Sequence, residues 1–232
     1  MLKSLENTGL NARLTPEVYD RYAEEVSALE KDWKESISST KNCKLSFIKE
    51  DDDLNIPEPI CQYDFTRVLY DYRECRLLKD AESVPQGYKT MADSGTIPCA
   101  IIPILNYYGL STNLSHLGKI LVENGYRTEN DGTRWIAIDK IPELVYGIRT
   151  QIQSSVFELC ESVLSELPVL AIVPASWLHN LESMPSNECI TAWRIEGNKV
   201  IVTTTSSHSP RKLDLIEFLR NIKRAWAFQP MK

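Results

Sequence analysis

The apolar positions of this chain fall into a few strongly patterned stretches. Val18, Tyr22, Val26, Leu29 and Trp33 recur at spacings of three and four, which lays one stripe along a long helix. Thr15 can cap that helix, Pro16 fits its first turn and Glu17 favours its positive end, so it is predicted to run from there to about Ser39. The stripe suits packing on a main body, with a docking face for a partner as its other use. Residues 96–109 are a nearly continuous apolar run that reads as a second helix, one that Pro103 delays or kinks. Ser115 to Glu123 follows as a helix with Leu114, Leu117, Ile120 and Leu121 on one face, ended by Asn124-Gly125. The turn Asp131-Gly132-Thr133 is expected to cap a further helix carrying Trp135, Ile136 and Ile138, and Val156 to Leu167 is another helical stretch. After Pro168, Val169 to Val173 has the short, unbroken apolar character of a buried strand. Cys189–Ile195 and Lys199–Thr205 flank Glu196-Gly197-Asn198, which predicts a hairpin. Leu213 to Ile222 is predicted helical, and Trp226-Ala227-Phe228 closes a sheet or core. Helices ahead of a small sheet make an α+β fold.

The stretch around Glu50-Asp51-Asp52-Asp53 and Pro57-Glu58-Pro59 is an acidic, proline-bounded loop without the spaced ligands and turn glycine of a calcium loop. Residues 65–78 fit helix or strand equally. Ser83-Val84-Pro85-Gln86-Gly87 is the best linker, which divides the chain into a helical N-terminal extension, 1–82, and a main domain, 83–232. A length of 232 residues accommodates both.

Charge and composition narrow the function. A net charge of -6 argues against nucleic-acid binding, which calls for a basic face. No apolar run approaches the roughly 18 residues of a membrane span, and Met1 to Asn7 lacks the apolar core of a secretory signal. The six cysteines form no CxxC pair and no zinc spacing with the three histidines. Reduced thiols in a cytoplasmic protein, with no metal and no cofactor, are the expectation.

The run from Thr96 to Gly109, ending in Leu105-Asn106-Tyr107-Tyr108-Gly109, resembles the signature helix of the bacteriocin-processing (double-glycine) cysteine peptidases. In that papain-like family the pattern is Cys-Gly, small and apolar residues, then Leu-x-Tyr-Tyr-Gly. The resemblance extends from Tyr88 to Phe228 through the helix-turn stretch, the Pro168-Val169 strand and the Glu196-Gly197-Asn198 hairpin. It implies a papain-like α+β fold with a helical N-terminal extension.

It also implies where catalytic groups should lie. A thiol peptidase needs a thiolate at a helix start, a histidine base on a neighbouring strand, a residue orienting that histidine, and an oxyanion donor. The nucleophile's place falls on Thr96, followed by Ile97 where the family has glycine, and the oxyanion glutamine's on Thr90. The base histidine's place falls on Glu188, and the orienting aspartate's on Thr204, followed by Thr205. All four depart from the pattern. A threonine hydroxyl is a far weaker acid than a thiol and needs a strong adjacent base, which Glu188 supplies only if burial raises its pKa. The leading expectation is therefore a catalytically inactive peptidase-like protein that binds a peptide or protein partner along its groove or a strand edge. One alternative is a thiol hydrolase or acyl transferase using Cys99, nearly one turn past Thr96, with His208 as base. Set against it, Cys99 suits a buried helix position and His208 a surface loop. His116 and His179 fall on helices. The other alternative is a structural or assembly subunit. Trp135, Trp177, Trp193 and Trp226 are expected mainly in the core rather than lining a groove.

Overall fold

The computed structural model of the chain describes residues 14–39, 56–66, 69–71, 76–78, 90–128, 132–181 and 186–231. The striped helix is α1 (Pro16–Ser39), with Tyr22 and Trp33 buried, Val26 and Leu29 half-buried and Val18 at 39% exposure. A 3-10 turn (Gln62–Phe65) precedes a small antiparallel pair, β1 (Leu69–Asp71) with β2 (Arg76–Leu78), so the ambivalent stretch is turn and strand. Next come α2 (Met91–Ser94), α3 (Thr96–Tyr107), α4 (Leu114–Glu123), β3 (Arg127–Thr128) and β4 (Gly132–Thr133). They are followed by α5 (Ile136–Tyr146), β5 (Ile148–Ile152), α6 (Val156–Leu164), β6 (Val169–Pro174) and α7 (Ala175–His179). The chain then makes β7 (Asn187–Glu196), β8 (Lys199–Thr204), β9 (Arg211–Asp214), α8 (Leu215–Asn221) and β10 (Arg224–Pro230). Six strands make one antiparallel sheet in the order β5-β10-β6-β7-β8-β9, and the fold is α+β.

Strand alternation divides the core in two. Leu170, Ile172, Cys189, Trp193, Trp226 and Phe228 face α3, α4 and α5. Val169, Ala171, Val173, Ile190, Ala192, Val200 and Val202 face α6 and α8. β6 is covered on both sides, which is why its sequence is apolar throughout rather than alternating. A register shift between Ala192 and Arg194 adds a residue to β7. Trp193 follows the alternation from Cys189 onto the α3 side, where its Nε1 donates to Thr203 Oγ1 at 2.8 Å, and the bulge returns Ile195 to the other face. Gly197, at φ +59, supplies the left-handed residue of the β7–β8 turn.

α3 has no polar stripe because it is enclosed: every residue from Ile97 to Leu105 is buried. The helix runs through Pro103, whose lost donor and ring clash are tolerated inside this packed environment. Three local expectations change. Gly132 and Thr133 pair with Arg127 and Thr128 instead of capping a helix, and α5 starts after Trp135 without a side-chain cap bond. α6 ends at Leu164, where Ser165 closes the last turn and Glu166 takes a positive φ of 61. Leu213 and Asp214, read as the start of a helix, instead end the edge strand β9, and Asp214 caps α8.

α1 packs into the body. Tyr22 joins the core beside α3, and Trp33 joins the core beside α6. Arg224 Nη2 donates to the Val26 carbonyl at 2.6 Å, and the Val156 N–H donates to Ser36 Oγ at 3.2 Å. The linker at residues 83–87 and the acidic run at 50–53 lie outside the described residues. Among the described residues, no helix is long and apolar enough to cross a membrane.

Candidate functional site

The start of α3 is set by the residue before it. A Cβ on Gly95 would collide with the side chain and carbonyl of Met91, so only glycine lets α2 fold this tightly against α3. Arg127, buried, ties the same junction down: its Nη1 donates to the Ser94 carbonyl and to Thr133 Oγ1, both at 2.9 Å, and its Nη2 donates to Ser94 Oγ.

Thr96 opens α3 and points at the beginning of β7. Its Oγ1 accepts the Cys189 N–H at 3.0 Å and lies 2.9 Å from Thr205 Oγ1. The pairing of Ile190 with Thr204 and Thr191 with Thr203, carried one residue further, sets Thr205 opposite Cys189 on the α3 side. Both strand residues next to Thr96 are therefore one position later than the expected Glu188 and Thr204. The side-chain period of a strand is two, so that single step changes the face. Thr204 shares the face of Ile190 and bonds to Ser206 Oγ at 3.2 Å. Glu188, buried near the strand end, meets His179 Nε2 at 2.7 Å through Oε2, while its Oε1 accepts a long bond from Thr205 Oγ1 at 3.5 Å. Thr96 is thus surrounded by an N–H, a hydroxyl and a thiol, and Glu188 reaches it only through Thr205.

Burial keeps the Cys189 and Cys99 thiols protonated at neutral pH. Burial pushes Cys189 up to about 12; a hydrogen bond with Thr96 opposes the rise and the charge of Glu188 adds to it. Cys99 is 1% exposed in a small cluster with Met91, and burial, then Cys189, Cys61 and Asp64, drives its pKa well above the ordinary thiol range. His208 is on the loop after β8, 72% exposed, with its Nε2 3.4 Å from Asp64 Oδ1. Among the described residues no hydrogen bond joins it to Cys99. Thr90 is spent on a capping box: its Oγ1 donates to Asp93 Oδ2 at 2.7 Å and accepts the Asp93 N–H, while its own N–H donates to Asp93 Oδ2.

Sequence reasoning missed the segment that packs beside this site, where Thr96 itself is half-buried. The Gln62 N–H donates to the Thr205 carbonyl at 2.8 Å, and Gln62 Nε2 donates to the Ala92 carbonyl at 3.2 Å. Cys61 and Gln62 are buried there, although nothing in the periodicity around them signals a packed segment. The tryptophans are packing groups: Trp193 and Trp226 are buried, Trp135 and Trp177 half-buried.

No protein-family pattern and no curated sequence matches the chain. Part of it is similar to the crystal structure of the peptidase domain of Streptococcus ComA, a bi-functional ABC transporter involved in a quorum-sensing pathway, at 14% identity and a TM-score of 0.46, over 59% of this chain and 91% of that one.

Proposed function

We propose that this protein is a catalytically inactive, papain-like peptidase relative that binds an extended peptide or protein partner. One observation carries the reading. The first residue of the central helix, where the sequence resemblance calls for a nucleophile, is a threonine whose hydroxyl is held by Cys189 and Thr205, with the buried Cys189 thiol beside it. The helix start against a hairpin of the sheet is the arrangement a papain-like site uses. In this reading residues 83–232 are the peptidase-related unit and residues 1–82 a helical N-terminal extension, whose α1 packs on it. Cys61 and Gln62 pack beside the helix start, on the end of β8 and on α2, and the partner is assigned to a strand edge. β9 and β5 are the two outer strands of the sheet, and Arg211, Lys212, Arg149 and Gln151 on them are exposed. An edge offers main-chain hydrogen bonds without any chemical step.

A second reading, a structural or assembly subunit, is favoured by that same packing of Cys61 and Gln62 beside the site. Fluorescence anisotropy with a labelled double-glycine leader peptide, together with mass spectrometry of the peptide after incubation, separates the cases. The expected result is saturable binding with the peptide left intact, unchanged in Thr96→Ala. Cleavage that disappears in Thr96→Ala would establish threonine chemistry, and absence of binding would leave the assembly subunit ahead.

A further inference from the structure

We propose that Cys61, Asp64 and His208 form a zinc site that fastens the turn at residues 61–64 to the loop after β8. Cys61 precedes the 3-10 turn Gln62–Phe65 and Asp64 lies within it. Side chains three apart eclipse one another in such a turn, so a thiol and a carboxylate project from the same side. The Asp64 N–H donates to the Cys61 carbonyl at 3.2 Å, and the Gln62 N–H anchors the turn to the Thr205 carbonyl, three residues before His208. The result is one sulfur, one carboxylate oxygen and one imidazole nitrogen all within 4.8 Å of one another.

The spacing matches a shared ion. Two ligands at zinc's usual distance of about 2.0–2.1 Å in a tetrahedron are about 3.3–3.4 Å apart, and a sulfur at about 2.3 Å lies about 3.6 Å from each. The His208 Nε2 to Asp64 Oδ1 separation is 3.4 Å. Cys61 Sγ therefore needs to close in by roughly an ångström at most. Thiolate and imidazole select a borderline-soft ion and disfavour magnesium and calcium, which take oxygen ligands. Three protein ligands leave a fourth position for water. Zinc replaces the thiol proton of Cys61, so binding releases a proton. The ion would bridge the turn at residues 61–64, from the first third of the chain, to the loop after β8. It thereby holds the turn against the end of β8, where Gln62 meets the Thr205 carbonyl. The proposal does not depend on the peptidase-like reading.

The test uses the full-length protein stripped of metal by a chelator, then titrated with Zn2+ against a chromophoric chelator and with Co2+ as a spectroscopic substitute. One equivalent is expected to bind, and the Co2+ form should show a thiolate-to-metal charge-transfer band in the near ultraviolet. Cys61→Ser should abolish that band, and His208→Ala and Asp64→Asn should each weaken binding by at least about tenfold. Cys160→Ser, within α6 on the other face of the sheet, should change nothing. Cys61 is buried and its variant can misfold, so the exposed His208 carries the decision. His208→Ala should keep the metal-free circular dichroism spectrum of the parent while Zn2+ no longer raises its thermal midpoint. Absence of zinc binding by the parent, or binding that His208→Ala and Asp64→Asn leave unaltered, overturns the proposal. So does rapid alkylation of Cys61 at neutral pH that is lost in His208→Ala without any zinc binding, which would make the cluster a nucleophilic thiol site.

Discussion

Burial of the thiols has a consequence for stability. Cys160 is pushed up to about 11 by burial and Cys189 to about 12, whereas an unfolded cysteine titrates near 8.5. These are acids whose folded pKa is raised, so below the unfolded value both states hold the proton and no pH dependence arises. Above it, the unfolded chain releases protons that the folded chain retains, and stability falls as pH rises. We predict that the urea midpoint drops between about pH 8 and pH 10, by the equivalent of about 1–2 kcal/mol per buried thiol, and drops less in Cys160→Ser. A flat profile across that window would contradict the thiol assignments. The same scale shows how far residue counting reaches. Counting back from Gly109 puts Thr96 at the first turn of α3, as observed, because a helix carries its own register. Counting along the strands points at Glu188 and Thr204, one residue short of the Cys189 and Thr205 that meet Thr96. No local feature marks which of two neighbouring strand residues faces a helix.

Among the elements, α8 offers a clean measurement. Asp214 caps it, with Oδ1 accepting from the Ile216 N–H at 3.1 Å and the Glu217 N–H at 3.2 Å. Those donors, the Glu217 N–H first, hold its carboxyl below the usual range against a small burial penalty, with Lys199 assisting. Replacement by alanine is expected to cost about 1 kcal/mol at neutral pH, and replacement by asparagine much less, since the amide oxygen still caps. A depressed carboxylate stabilises above its unfolded pKa and loses that contribution as pH falls through the folded one. The difference between parent and Asp214→Ala in denaturant melts should therefore shrink in strongly acidic buffer. A gap that persists there would mean the side chain acts through packing instead. α1 and α3 were legible for opposite reasons: α1 alternates sides at helical spacing, while α3 is apolar all round because every side of it is buried.

The molecule as a whole is held by two cores on the two faces of one sheet, and α1 contributes to both. Trp33 is buried against the α6 side and Tyr22 against the α3 side. Trp33→Ala should cost about 3–5 kcal/mol, as removal of a buried large aromatic does, with a single cooperative transition at a lower urea midpoint. An unchanged midpoint would make α1 an appendage. The sequence by itself determined α1, the buried run of α3, the β6 strand and the β7–β8 hairpin, because each rests on a repeat or turn encoded within a few residues. Tertiary structure alone decided the face of β7 and β8 that meets Thr96, the packing of Cys61 and Gln62 beside the site, the Arg127 clamp and the meeting of Cys61, Asp64 and His208. Those arrangements join positions far apart in the chain, and they follow from how the sheet register and the packing of distant segments close together, which no local pattern records.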